Sequence, residues 1–186
     1  MYDQIRASLE AFVPLNEQEA QDKRVMLHDM QLFPDLLTRE NEIMHFTASC
    51  WITNPERTRA LMAFHNLFQS WAWLGGHADG DGDLLRVALR EAREESGVQA
   101  QAESPEPFSV EILGVDAHVR RGRHVCTHLH LNLTYLLTAD EHAPIRRKPD
   151  ENSAVRWFAL DEILSAVSEP EMKPVYQKLI ARCRLR

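Results

Sequence analysis

Between Gly75 and Val98 the chain reads GGHADGDGDLLRVALREAREESGV, and its REAREESGV core sets Glu91, Glu94 and Glu95 beside Arg90 and ahead of Gly97. On a helix, positions i, i+3 and i+4 leave one face within a single turn, so the three carboxylates converge. Like charges spaced four apart weaken a bare helix, which makes Glu91 and Glu95 a locally unfavourable pair unless a positive charge lies between them. Oxygen ligands of this kind suit a hard divalent cation, Mg²⁺ or Mn²⁺. Four of the chain's seven glycines, Gly75, Gly76, Gly80 and Gly82, stand just upstream among Asp79, Asp81 and Asp83. Such a stretch brings bare backbone close to a ligand and offers a carbonyl to the same ion.

A helix must carry these groups, and the spacing predicts one from about Leu84 to Ser96. Leu84, Leu85, Ala88, Leu89 and Ala92 recur at three- and four-residue steps, Asp83 is placed as N-cap, and Gly97 as the glycine that ends the helix. Ahead of it the run Ser70 to Leu74 reads as a strand.

The segment resembles the signature of the Nudix hydrolases, in which a glycine, five residues, a glutamate and seven residues precede R-E-U-x-E-E-x-G-U, with U aliphatic or bulky. Gly76, Arg90, Glu91, Glu94, Glu95, Gly97 and Val98 match, and Ala92 is a small U. Gly82 stands where the first glutamate of the signature belongs, and Leu74 where many members carry proline. The resemblance implies an αβα sandwich around a mixed sheet and the hydrolysis of a diphosphate linked to a further moiety X. Implied with it are Mg²⁺ or Mn²⁺ as cofactor, Glu94 and Glu95 as first metal ligands, Glu91 as ligand or general base, and the Gly75 or Gly76 carbonyl as another ligand. Arg90 is expected to orient the glutamates, with an ordinary ion pair as the competing role. Asp79, Asp81 or Asp83 would have to replace the missing loop carboxylate, or one metal is lost. A later acid often completes the family's set, and Glu151, with Asp150 beside it, is the candidate, against a plain solvated loop.

Other residues carry weaker signals. His128 and His130 alternate with leucines, so they share one strand face and are candidates for substrate binding, with half-buried structural histidines as the alternative. Arg120, Arg121 and Arg123 would suit a terminal phosphate or simply a solvated turn. Trp71 and Trp73 point to one side and read chiefly as core cover. Ile112 and Leu113 occupy places where ADP-ribose hydrolases of the family tend to have proline, and Gly114 lies near the place of a tyrosine typical of dinucleoside polyphosphate hydrolases. Neither difference selects a substrate.

The remaining sequence supplies the scaffold. The 186 residues, 44% hydrophobic, suffice for one domain with an extension. A net charge of -7 argues against a nucleic-acid or membrane surface. Cys50, Cys126 and Cys183 are too few and scattered for a disulfide framework, and the charged N-terminus lacks the apolar core of a signal peptide, so a cytoplasmic protein is expected. Assembly is left open, a homodimer included. Residues 1 to 42 are read as an N-terminal helical extension, with an Asn16 to Glu19 cap signal and a further helical turn from Pro34. Residues 43 to 186 are read as the catalytic domain, with the resemblance itself spanning about 45 to 168. Within that domain a hairpin is expected across Asn54-Pro55, two strands about Arg121-Gly122-Arg123, and helices from Leu160 and Glu171. The fold class is α/β of the α+β type. The alternatives to a hydrolase are a catalytically weak Nudix domain that senses nucleotides, motivated by Gly82, and an isoprenyl diphosphate isomerase, which would need Cys50 or Cys126 facing the glutamates.

Overall fold

The computed structural model describes residues 2–120 and 122–185; Arg121, one of the arginines considered for phosphate, lies outside them. In chain order the elements are α1 (Asp3–Ala11), α2 (Glu17–Leu32), β1 (Met44–Thr53), β2 (Arg59–His65), β3 (Ser70–Ala72), β4 (Leu74–His77) and α3 (Leu84–Ser96). There follow β5 (Gln101–Ala102), β6 (Ser109–Val115), β7 (His118–Arg120), β8 (Arg123–Val125), β9 (His128–Thr138), β10 (Asn152–Ala159), α4 (Ile163–Ala166) and α5 (Lys173–Arg184). This is the expected α/β class, a mixed sheet with helices and an N-terminal helical extension. No helix among the described residues is long and apolar enough to cross a membrane.

The chain divides into two compact units, to both of which β1 and β9 contribute. The first comprises residues 2–49, 76–87 and 104–135. Its α2 starts where the Asn16 side chain accepts the Glu19 N–H at 3.0 Å, an N-cap bond that satisfies one of the free donors of the first turn. That helix docks on β6, which pairs antiparallel with β9 through Ile112 opposite Leu131. Gln18 donates to the Val110 carbonyl (3.0 Å) and Asp22 accepts the Ile112 N–H (2.8 Å), so side chains of the extension serve β6 backbone groups. Glu19, fully buried, accepts from Leu15 N–H and from the Ser109 hydroxyl.

Two expectations in this unit are corrected. After Pro34 the chain makes turns rather than a helix, because Asn41 donates to Asp35 and accepts the N–H groups of Ile43 and Met44. Short polar side chains that bond nearby backbone compete with the helical ladder. The two long strands expected about Gly122 are four: β6 and β9 form one pair, and β7 and β8 form a separate hairpin. At each break a histidine Nδ1 bonds the carbonyl two residues before it, His118 to Asp116 and His128 to Cys126.

The second unit comprises residues 50–75, 88–103 and 136–185. Its strands hydrogen-bond in the order β10-β2-β1-β9-β5, with β3 also on β2. The hairpin at Asn54 is present: Asn54 accepts the N–H groups of Thr58 and Arg59 and holds Thr53 opposite Ala60. Against β2, β10 sets Trp157 opposite Leu61. The strand expected from Ser70 to Leu74 breaks at Trp73, whose N–H donates instead to the Tyr176 hydroxyl of α5 at 3.2 Å. The same tyrosine stacks on buried Trp51.

Candidate active site

Helix α3 forms as its sequence dictates. Asp83 accepts the Arg86 N–H at 3.0 Å as cap, and Gly97 closes the helix at φ 77°, its N–H donating to the Arg93 carbonyl. Left-handed backbone suits glycine here, and a Cβ at this position would also meet Arg146 Cγ at 2.9 Å.

The helix then sorts its carboxylates by burial. Glu91 and Glu95, one turn apart, are buried, whereas 47% of the Glu94 side chain is exposed. Glu95 accepts the Gly75 N–H at 2.8 Å, which ties the double glycine to the helix through a backbone donor. Gly76 follows in β4. Glu91 accepts from Arg90 Nη2 at 3.2 Å.

Glu151 joins them from the turn before β10. One oxygen each of Glu91, Glu95 and Glu151 lies within 4.8 Å of the others. That turn is fastened to α3 by Asn152, which donates to the Glu95 carbonyl (3.1 Å) and accepts the Lys148 N–H (3.1 Å). The Lys148 ammonium sits 2.9 Å from Glu151 and 3.6 Å from Glu94. Neither Lys148 nor Asn152 was expected to take part. The only sequence signal was their place in KPDEN around Glu151.

Electrostatics mark the cluster as short of positive charge. Burial above all, then the charges of Glu91 and Glu151, push the Glu95 carboxyl up to about 8, although the Gly75 N–H works the other way. Burial also raises Glu91, with Arg90 opposing. The nearby Cys50 thiol is fully buried, donates to the Leu74 carbonyl at 3.1 Å, and is held well above its usual range by burial and then by Glu95 and Glu91. Three converging carboxylates, two of them desolvated, are the donor set that a hard divalent cation needs, so the residues fit the expected metal.

The loop aspartates are otherwise engaged. Asp79 is bidentate to Arg39 (2.8 and 2.7 Å), Asp81 accepts from Arg86 (2.6 and 3.1 Å), and Asp83 caps α3. Each has a partner within its own unit, and Glu151 is the acid that stands with Glu91 and Glu95. His128 and His130 lie in the first unit, where His45 joins them.

The family model described as NUDIX domain matches residues 44–183. No curated protein matches the sequence significantly. Among solved structures, a NUDIX-family hydrolase from Clostridium perfringens superposes with a TM-score of 0.56 at 18% identity, covering 74% of this chain and 96% of its own. An Ap4A hydrolase from C. elegans gives 0.54 at 18% identity over 76% and 98% of the two chains. The E. coli dihydroneopterin triphosphate pyrophosphohydrolase gives 0.54 at 14% identity over 73% and 94%. At these identities the likeness is one of fold.

Proposed function

Because the chain belongs to the NUDIX domain family, we propose that it hydrolyses a diphosphate linkage in a nucleoside diphosphate joined to a moiety X, or in a related small organic diphosphate. The observation that carries this reading is the convergence of Glu91, Glu95 and Glu151 on one point, with the raised Glu95 carboxyl as its electrostatic signature. In this reading Glu91, Glu95 and Glu151 would hold Mg²⁺ or Mn²⁺, with the Gly75 carbonyl as a further ligand. When bound, such an ion neutralises the diphosphate and acidifies the attacking water.

The protein's own groups divide the remaining work. Arg90 keeps Glu91 oriented, and the Gly75 N–H keeps Glu95 oriented. Glu94, open to solvent, is assigned the proton of the attacking water, and Lys148 positions it together with Glu151. The 1–42 extension is read as scaffold, and the enzyme as a cytoplasmic one acting on small molecules.

Gly82 motivates the second reading, a weakly catalytic nucleotide sensor. Against it stands Glu151, which brings the number of grouped carboxylates to three without help from the loop. The isomerase reading needs an accessible cysteine facing the glutamates, and Cys50 is fully buried with its thiol proton on a carbonyl.

Product release across dinucleoside polyphosphates, nucleotide sugars, nucleoside triphosphates and pterin triphosphates, with Mg²⁺ or Mn²⁺, tests the proposal. The structural neighbours' names suggest two members of that panel and decide nothing further. Metal-dependent cleavage of one class that disappears in Glu95→Gln is the expected result. Tight nucleotide binding without turnover, unchanged in Glu95→Gln, would replace it with the sensor.

A further inference from the structure

The first unit gathers imidazoles as the second gathers carboxylates. His45 lies in β1 and His128 and His130 in β9, and one ring nitrogen of each lies within 4.8 Å of the other two. His45 is 4% exposed and His128 7%. The ring of His45 is 5.0 Å from that of His128, stacked, and 5.2 Å from that of His130. His77, in β4, brings a fourth ring to 5.1 Å from His45 and 4.9 Å from His130. Only His128 and His130 were singled out from the sequence, because His45 and His77 are isolated there.

Hydrogen bonding fixes which nitrogen each ring can offer. A carbonyl only accepts, so the Nδ1 of His45, 3.0 Å from the Asn41 carbonyl, carries a hydrogen, as does the Nδ1 of His128, 2.8 Å from the Cys126 carbonyl. In the neutral rings both Nε2 atoms then present lone pairs. Backbone carbonyls on the far nitrogen are the outer contacts by which proteins orient metal-binding histidines. The Nε2 of His45 is buried and has no hydrogen-bond partner among the described residues. An orphaned buried acceptor is costly unless something absent from the protein fills it. The Nε2 atoms of His128 and His130 stand 3.2 Å apart, in a hydrogen bond that the His130 Nε2–H donates to the His128 lone pair and that a shared metal ion would replace, the His130 proton moving to Nδ1. Two nitrogens bound to one tetrahedral Zn²⁺ at 2.0–2.1 Å would be about 3.3–3.4 Å apart, so this pair already has the spacing of one edge of the coordination shell.

We propose that His45, His128 and His130 form a second metal site, with Nε2 ligands, for a borderline divalent ion of the Zn²⁺ class, independent of the carboxylate site. Imidazole nitrogen suits Zn²⁺, Ni²⁺ or Cu²⁺ and not Mg²⁺, so the two sites differ in the ion they select. Burial keeps His130 neutral, with its pKa lowered to about 3, and lowers His45 too, which leaves the ligand form in place at neutral pH. Three protein ligands leave the fourth position of a tetrahedron open, the arrangement of a site that can also take a small ligand.

Metal-stripped full-length protein titrated with Zn²⁺ by calorimetry, and with Co²⁺ by visible absorption, tests the assignment. One equivalent of Zn²⁺ is expected at this site, with a tetrahedral Co²⁺ spectrum that persists in Glu95→Gln. It should weaken by more than about 100-fold in His130→Gln and His45→Asn, whose folding is checked by circular dichroism. Binding that survives both histidine substitutions, or that disappears in Glu95→Gln alone, overturns the proposal. Should neither histidine variant fold, imidazole ¹⁵N spectra of the wild-type protein decide the matter. Zn²⁺ must shift the Nε2 resonances of His45, His128 and His130 together, and unmoved signals refute it.

Discussion

The carboxylates of the second unit and the imidazoles of the first are both sets of like groups held close together, two members buried in each, but the protein supports them in opposite ways. Glu91, Glu95 and Glu151 are carboxyl groups surrounded by partial compensation: Arg90, Lys148 and the Gly75 N–H. His45 and His128 have no such ionic partners at Nδ1, where backbone carbonyls hold the rings. A cluster of negative charge needs a cation merely to exist in that form, whereas neutral rings need only orientation. Burial accordingly pushes both clusters away from charge, raising the Glu95 carboxyl to about 8 and lowering His130 to about 3.

The largest effect that would test this contrast is catalytic. Glu95→Gln should lower metal-dependent hydrolysis by about 10³-fold and raise the half-saturating Mg²⁺ concentration, because an anionic ligand becomes a neutral one. Glu94→Gln should lower kcat by about 10²-fold while leaving Mg²⁺ saturation nearly unchanged, since Glu94 is assigned a proton and no ion. Steady-state kinetics against Mg²⁺ separates the two. Equal shifts in Mg²⁺ dependence would return Glu94 to the ligand set that the sequence first suggested.

A smaller effect concerns the compensation itself. Lys148 is a resident cation beside Glu151 and Glu94, so it competes with an incoming one. Lys148→Met should lower the half-saturating Mg²⁺ concentration by about threefold to fivefold, the size of a partly exposed ion pair. Titration followed by thermal shift measures it, and weaker Mg²⁺ binding would make the lysine a necessary support for Glu151. Zn²⁺ binding at the histidines should not respond.

How much of this could be read from the chain follows from the range of the interactions. Helix α3, its Asp83 cap and its Gly97 stop are local, and so is the one-turn spacing of Glu91 and Glu95; all were legible. The Asn16 cap was legible for the same reason. Burial was not: nothing in EAREE says that Glu95 is covered while Glu94 is open, because that depends on what packs against the helix. Glu151 could be nominated but not placed, since Asn152 fastens its turn to α3 across 57 positions of sequence. His45 meets His128 across a still longer interval, and no pattern within either strand marks the pairing. Trp73 breaks an apparently continuous strand because a tyrosine 103 residues away takes its N–H.

The smallest predicted effect separates the clusters by pH in metal-free protein. The Glu95 pKa is pushed up to about 8, so its proton is held more tightly folded than unfolded. The associated stability is then complete below the unfolded carboxyl value and is lost as pH rises toward 8. His130 runs the other way: with its pKa lowered to about 3, its contribution is present above the unfolded imidazole value near 6.5 and is lost as pH falls. Each glutamine substitution removes one of these penalties. With chelator present, Glu95→Gln should gain Tm relative to the wild-type protein as pH rises from about 5 to 8, and His130→Gln should gain as pH falls from about 7.5 to 5. Each gain should be on the order of several °C, at about 2–4 °C per kcal/mol for a chain of this length. Calorimetric scans at five or so pH values suffice, and parallel curves for all three proteins would mean that neither cluster titrates differently folded and unfolded, which removes the physical basis of the contrast.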